Sequence, residues 1–147
     1  MYAEEELYIW GHPNVRATHP TTLEITKEDW LTPRGDCIIG VRATKAGSDF
    51  GERFRKLARR SNTRILLRIE GGGVVEEVWG WGHPKITLND SVRIIARRSR
   101  YVCDKTLMVA ADKAAKDISR KLVGFLQNPR NCARVVLRAF CLSDHEV

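Results

Sequence analysis

The sequence predicts an α+β, mainly β fold: two duplicated halves forming an antiparallel sandwich or barrel with two helices. Three observations lead there. Glu5-Glu6-Leu7-Tyr8-Ile9-Trp10-Gly11-His12-Pro13 aligns with Glu76-Glu77-Val78-Trp79-Gly80-Trp81-Gly82-His83-Pro84 at an offset of 71. Val41 to Phe50 then aligns with Val109 to Ile118 at 68, and Arg64 to Ile69 with Arg134 to Ala139 at 70. Matches in one order with nearly constant offset indicate an internal repeat, one half spanning about 1–73 and the other about 74–147 of a single domain. Finally, β-branched and aromatic runs of period two fill each half, and the period changes to 3.6 once in each.

The elements follow in order. Each half opens with an aromatic strand that ends in Gly-His-Pro. Thr22 to Thr26 and Asp36 to Ala43 read as further strands, as do Ile86 to Leu88, Ser91 to Ala96 and Tyr101 to Ala110 in the second half. A helix comes next. Phe50, Phe54 and Leu57 form its apolar face after a Thr44 cap. Its counterpart uses Ala115, Ile118, Leu122, Phe125 and Leu126 after an Asp112 cap, and stops at Asn128-Pro129. Last strands run from Arg64 to Glu70 and from Arg134 to Phe140, and Gly71-Gly72-Gly73 makes a hairpin-type link between the halves.

The formal charge of +7 marks a basic protein that attracts polyanions, RNA among them. Residues 1–73 carry 12 Lys/Arg against 10 Asp/Glu, and residues 74–147 carry 13 against 8. Apolar runs fall far short of the roughly 20 residues needed to span a bilayer, so a cytoplasmic protein with no membrane role is expected. The four cysteines, Cys37, Cys103, Cys132 and Cys141, form no Cys-x-x-Cys pair, so no metal site and no cofactor is implied. Oligomeric state is not encoded in any of these patterns.

The strings Gly11-His12-Pro13-Asn14, Ala17-Thr18-His19, Thr21 to Lys27, Leu31-Thr32 and Gly35-Asp36-Cys37-Ile38 resemble those of an archaeal family, domain of unknown function 371. Arg98-Ser99, Val102-Cys103, Thr106-Leu107 and Ala111 to Ala115 extend the resemblance over nearly the whole chain. It implies an archaeal intracellular protein with a mainly β fold, and it implies no activity.

Candidate site residues fall into three groups. Lys45 and Lys113 stand at the two helix starts, where unpaired N–H groups and a positive dipole suit an anion. The alternative is an ion pair with Asp49 and Asp117 four residues on. Next, Tyr8, Trp10 and His12 share strand parity, as do Trp79, Trp81 and His83. These rings either stack bases or fill the core. The third group is the basic run Arg53, Arg55, Lys56, Arg59 and Arg60 on the first helix, joined by Arg93, Arg97, Arg98, Arg100 and Lys105 in the second half.

Two functions follow. The first is an RNA- or polyphosphate-binding module that holds its anion with Lys45, Lys113, Arg53, Arg55, Arg59 and Arg60. The other is a small enzyme with a cleft at the junction of the repeats lined by His12, His83, Lys45 and Lys113, with Cys37 as a nucleophile beside a histidine base. Geometry separates them: convergence of the turns and helix starts favours an enzyme, and an open basic surface with exposed aromatics favours binding.

Overall fold

The computed structural model describes residues 1–141; residues 142–147, which the expected second half includes, lie outside the described residues. Eight strands form two four-stranded sheets. In chain order they are β1 (Tyr2–Trp10), β2 (Thr22–Thr26), β3 (Ile38–Gly40), β4 (Thr63–Gly71), β5 (Val74–Trp81), β6 (Arg93–Arg97), β7 (Thr106–Met108) and β8 (Cys132–Cys141). Helix α1 (Glu52–Ala58) precedes β4, and α2 (Arg120–Phe125) precedes β8. Each half therefore runs strand, strand, short strand, helix, strand.

The first sheet has the order β1-β8-β4-β5 and is wholly antiparallel. The second has the order β3-β2-β6-β7. Both central pairs join strands from different halves, with Leu67 opposite Leu137 in one sheet and Glu24 opposite Ile95 in the other. The outer pairs β2–β3 and β6–β7 are parallel, a correction to the antiparallel expectation. A long crossover between those strands, residues 27–37 and 98–105, returns the chain in the same direction, which a tight hairpin cannot do. Single antiparallel bridges, Trp10 to Val41 and Trp81 to Val109, join the edges of the two sheets, so the structure stops short of a closed barrel.

Alternation along β1 and β5 sets the two faces of the first sheet. Ala3, Leu7, Ile9, Val78 and Gly80 face one shared core, and Tyr2, Glu4, Glu6, Tyr8, Trp79 and Trp81 face outward. The β4–β5 hairpin turns on Gly72 and Gly73, with φ of 59° and 76°, left-handed values that glycine adopts without strain.

Both helices begin later than their caps suggest. A 3₁₀ turn intervenes in each half, Gly47–Asp49 and Ala115–Asp117, and the extended backbone at Phe50 and Ile118 separates it from the helix. Thr44 and Asp112 act elsewhere: Thr44 Oγ1 accepts the N–H of Tyr8 at 3.0 Å and Asp112 Oδ1 that of Trp79 at 2.9 Å, tying each loop to an edge strand. The Ile86 to Leu88 segment is loop. Among the described residues no helix is long and apolar enough to cross a membrane.

Candidate nucleic-acid interface

The two Gly-His-Pro turns lie at opposite corners of the first sheet. Trp81 shares a row with Arg64, Phe140 and Tyr2, so it sits eight residues, about 26 Å, along the strand direction from Trp10. His12 N–H donates to Leu126 O at the end of α2, and His83 N–H to Ala58 O at the end of α1. Each imidazole closes its own turn: His12 Nδ1 accepts from Asn14 N–H and His83 Nδ1 from Lys85 N–H, both at 3.0 Å. The expected cleft lined by both histidines and both lysines is therefore not formed, because antiparallel pairing sends the two aromatic strands in opposite directions.

The lysines at the helix starts pair with carboxylates other than the expected ones. Lys45 Nζ lies 3.0 Å from Glu5 Oε1, and Glu5 Oε2 accepts Gly51 N–H at 2.9 Å. Lys113 Nζ lies 2.6 Å from Glu76 Oε1, whose other oxygen accepts Ser119 N–H at 2.8 Å. An external anion at either place would have to displace the chain's own carboxylate. Asp49 and Asp117 instead accept Ala46 and Ala114 N–H groups and meet Lys27 and Arg98.

Cys37 does not suit a nucleophile. Burial, with the Glu24 carboxylate nearby, pushes its thiol up to about 11, so it is protonated near neutrality. Cys37, Cys103, Cys132 and Cys141 are thiols, in no disulfide. Among the described residues no three His, Cys, Asp or Glu side chains are placed to hold a metal ion.

Two of the second basic run, Arg93 and Arg97, pack on the outer side of the second sheet, while Arg98 and Arg100 are exposed. Arg93 donates twice to Glu28 Oε1, at 3.0 and 2.7 Å, and lies 3.5 Å from Glu24. Arg97 donates to Thr106 Oγ1 and Cys103 Sγ and stacks on Tyr101. Burial raises the pKa of Glu24 more than Arg93 and Lys105 lower it. The folded state thus holds this proton more tightly than the unfolded chain, and Glu24's contribution to stability is lost as pH rises from the ordinary 4.5 through its raised pKa. Thermal unfolding followed from just below pH 4.5 upward should show a flatter pH dependence for Glu24→Gln than for wild type; an unchanged slope would contradict this.

Helix α1 divides its cations into anchors and open groups. Arg55 donates to Thr87 O at 3.2 Å and to Asn89 Oδ1, and Arg59 donates to Ile86 O at 3.1 Å, so both tie the helix to the following loop. Arg53, Lys56 and Arg60 border a concavity of about 490 Å³, completed by Met1, Glu52 and Leu57. Only Glu52 brings negative charge, and it pairs with Lys56 at 3.3 Å on the exposed helix surface. Such an exposed pair is worth a few tenths of a kcal/mol and yields readily to a phosphate.

This concavity adjoins the aromatic end of the first sheet. Gly82 N–H donates to Thr63 O and Thr63 N–H to Arg60 O, which brings the end of α1 beside the end of β5. Arg60 Nη1 touches Met1 Sδ at 3.4 Å, next to Tyr2. On the outward face Tyr2 packs on Phe140 at 5.1 Å, and Phe140 stacks on Trp79 at 6.1 Å. Tyr2 is 41 % and Trp81 36 % exposed, so these rings form a surface and not a core. Arg64 lies over Trp81 and Trp79, 4.7 and 5.2 Å from the ring centroids.

A family profile described as a domain of unknown function (DUF371) matches residues 7–139. The chain belongs to this family. An uncharacterised protein of Methanocaldococcus jannaschii is 49 % identical over 113 residues, covering 77 % of this chain and 83 % of that relative. DUF371 membership thus extends over both Gly-His-Pro turns, all of α1 and the aromatic strand β5.

Sequence reasoning nominated Trp79, Trp81 and the α1 cations. It missed Tyr2, Arg64 and Phe140, which come from three strands and meet only through register. One signal was available. Aligning the halves puts Phe140 where the first half has Glu70, so the cross-strand pair Arg134–Glu70 becomes Arg64–Phe140.

Proposed function

We propose that this member of DUF371 is a cytoplasmic RNA-binding module whose phosphate track is the α1 edge, Arg53, Lys56 and Arg60, continuing onto the aromatic end of the first sheet. The observation that carries this reading is the continuity of helix cations held by no buried partner with exposed rings at one end of the molecule. The same reading treats residues 1–73 and 74–147 as two copies of one unit in a single domain, of which the first carries the fuller track: Lys56 and Arg60 align with Gly124 and Asn128 in α2 and just beyond it, while Arg53 aligns with the basic Lys121. Losing symmetry at this surface while keeping it in the core is what a site acquired by one copy would show.

The test is filter binding to single-stranded RNA at several salt concentrations. Each neutralised phosphate on a single strand contributes a slope near −0.7 in log K against log salt. Arg53→Ala with Arg60→Ala should therefore flatten the slope by about 1.4 and weaken binding to all sequences alike. Lys121→Ala, on the exposed side of α2, should change neither. Binding no tighter than about 100 µM at low salt, or an unchanged slope in the double variant, would sink the proposal.

A further inference from the structure

We infer that the RNA bound at this surface is single-stranded, with an unpaired base stacked on the exposed Trp81 ring, which Trp79 and Phe140 flank, and a phosphate held by Arg64; this deepens the RNA-binding reading and rests on it. Four arginines stand on the outward face of the first sheet. Arg68 is held by Glu70 at 3.0 Å and Glu77 at 3.1 Å, Arg134 by Glu6 and Glu70, and Arg138 by Glu4 at 2.9 Å. Among the described residues Arg64 meets no carboxylate. Its contacts are the two indole faces, and its Nε is buried with no acceptor. The terminal nitrogens of this planar guanidinium make no hydrogen bond among the described residues, and they are the groups that can meet a phosphate.

The surrounding chemistry selects unpaired bases. Every base offers a π face, and a row of rings on a sheet can stack successive bases only if they are free of a duplex. In double-stranded RNA the bases stack on each other, and recognition passes through phosphates and 2′-hydroxyls, to which indoles contribute little. An inorganic polyphosphate has no ring to stack. Trp81 ends β5 beside the end of α1, so a strand can place phosphates on Arg53 and Arg60 while a base covers Trp81.

The experiment is a competition series at one salt concentration with three probes: a twelve-nucleotide single-stranded RNA, its duplex, and inorganic polyphosphate of matched charge. Wild type should bind the single strand about tenfold tighter than the duplex. Trp81→Leu, which keeps apolar area but removes the π face, should lower single-strand affinity about tenfold and leave polyphosphate affinity within twofold, whereas Arg64→Gln, which removes a phosphate contact, should weaken binding of both probes. Trp30→Phe, at an exposed site away from the sheet, should leave all three affinities unchanged. Circular dichroism of each variant checks that the fold is kept. Equal affinity for duplex and single strand, or wild-type single-strand binding by both Trp81→Leu and Arg64→Gln, would overturn the inference while leaving the α1 track standing. Failure of all three probes to bind would remove the track as well.

Discussion

Gly82→Ala is expected to cost about 3 kcal/mol and to lower the melting temperature by roughly 6–12 °C, with Gly11→Ala close behind. A Cβ on Gly82 would lie 2.3 Å from Arg60 O and 2.6 Å from Ala58 O. On Gly11 it would lie 2.2 Å from Asn128 O and 2.7 Å from Leu126 O. These obstacles are backbone carbonyls at helix ends and cannot swing aside as a side chain would. Ala58 O and Arg60 O also accept the N–H groups of His83 and Thr63, so any shift breaks the bonds that lock the turn to the helix. Gly124→Ala supplies the opposite sign. Nothing lies within 4 Å of a Cβ there, and replacing a helical glycine by alanine should add about 0.5–1 kcal/mol. Thermal unfolding followed by circular dichroism measures all three. A Gly82→Ala protein melting within 2 °C of wild type would show that the turn can open without cost.

That result also bears on what the Gly-His-Pro repeat is for. In sequence it reads first as a structural turn and second as a paired catalytic element, because both readings need histidine near a tight bend. Antiparallel pairing decides the matter by sending the two turns to opposite corners, and no pattern within either half contains that information. Strand parity was legible: Tyr8 with Trp10, and Trp79 with Trp81, do share a face. Which face was not, since alternation fixes only that neighbours point opposite ways. The basic run on α1 was equally plain as a charged helix, yet the engagement of Arg55 and Arg59 depends on where residues 86–89 pass, more than 25 positions away. The central strands and the β4–β5 hairpin were legible because local turn chemistry and long β-branched runs dictate them. The parallel edge pairs β2–β3 and β6–β7 were not, because the edge strands β3 and β7 are three residues long and owe their place to the loops that deliver them.

Glu76→Ala is expected to destabilise the protein by about 3 kcal/mol, and removal of Lys113 in the same chain should recover part of that loss. Glu76 is the most consequential acid of the second half: it is buried, its Oε1 takes the Lys113 ammonium and its Oε2 caps α2 through Ser119 N–H. Alanine leaves a half-buried ammonium without its counter-charge and a helix N-cap donor without its acceptor, two penalties of about 1–3 kcal/mol each before solvent access to Lys113 reduces the first. In Glu76→Ala with Lys113→Met no charge is stranded and the methionine stem can pack in place of the lysine chain. The double variant should then be more stable than the sum of the single changes predicts by about 1 kcal/mol. Glu5→Ala should cost somewhat less than Glu76→Ala: the two side chains are about equally buried, but the bond of Glu5 to Gly51 N–H is exposed whereas that of Glu76 to Ser119 N–H is part-buried. Urea unfolding of the four proteins of the cycle gives the coupling directly. Strictly additive losses would mean that Lys113 is solvated in solution, that the Glu76–Lys113 pair contributes nothing, and that the helix start is open to an external anion after all.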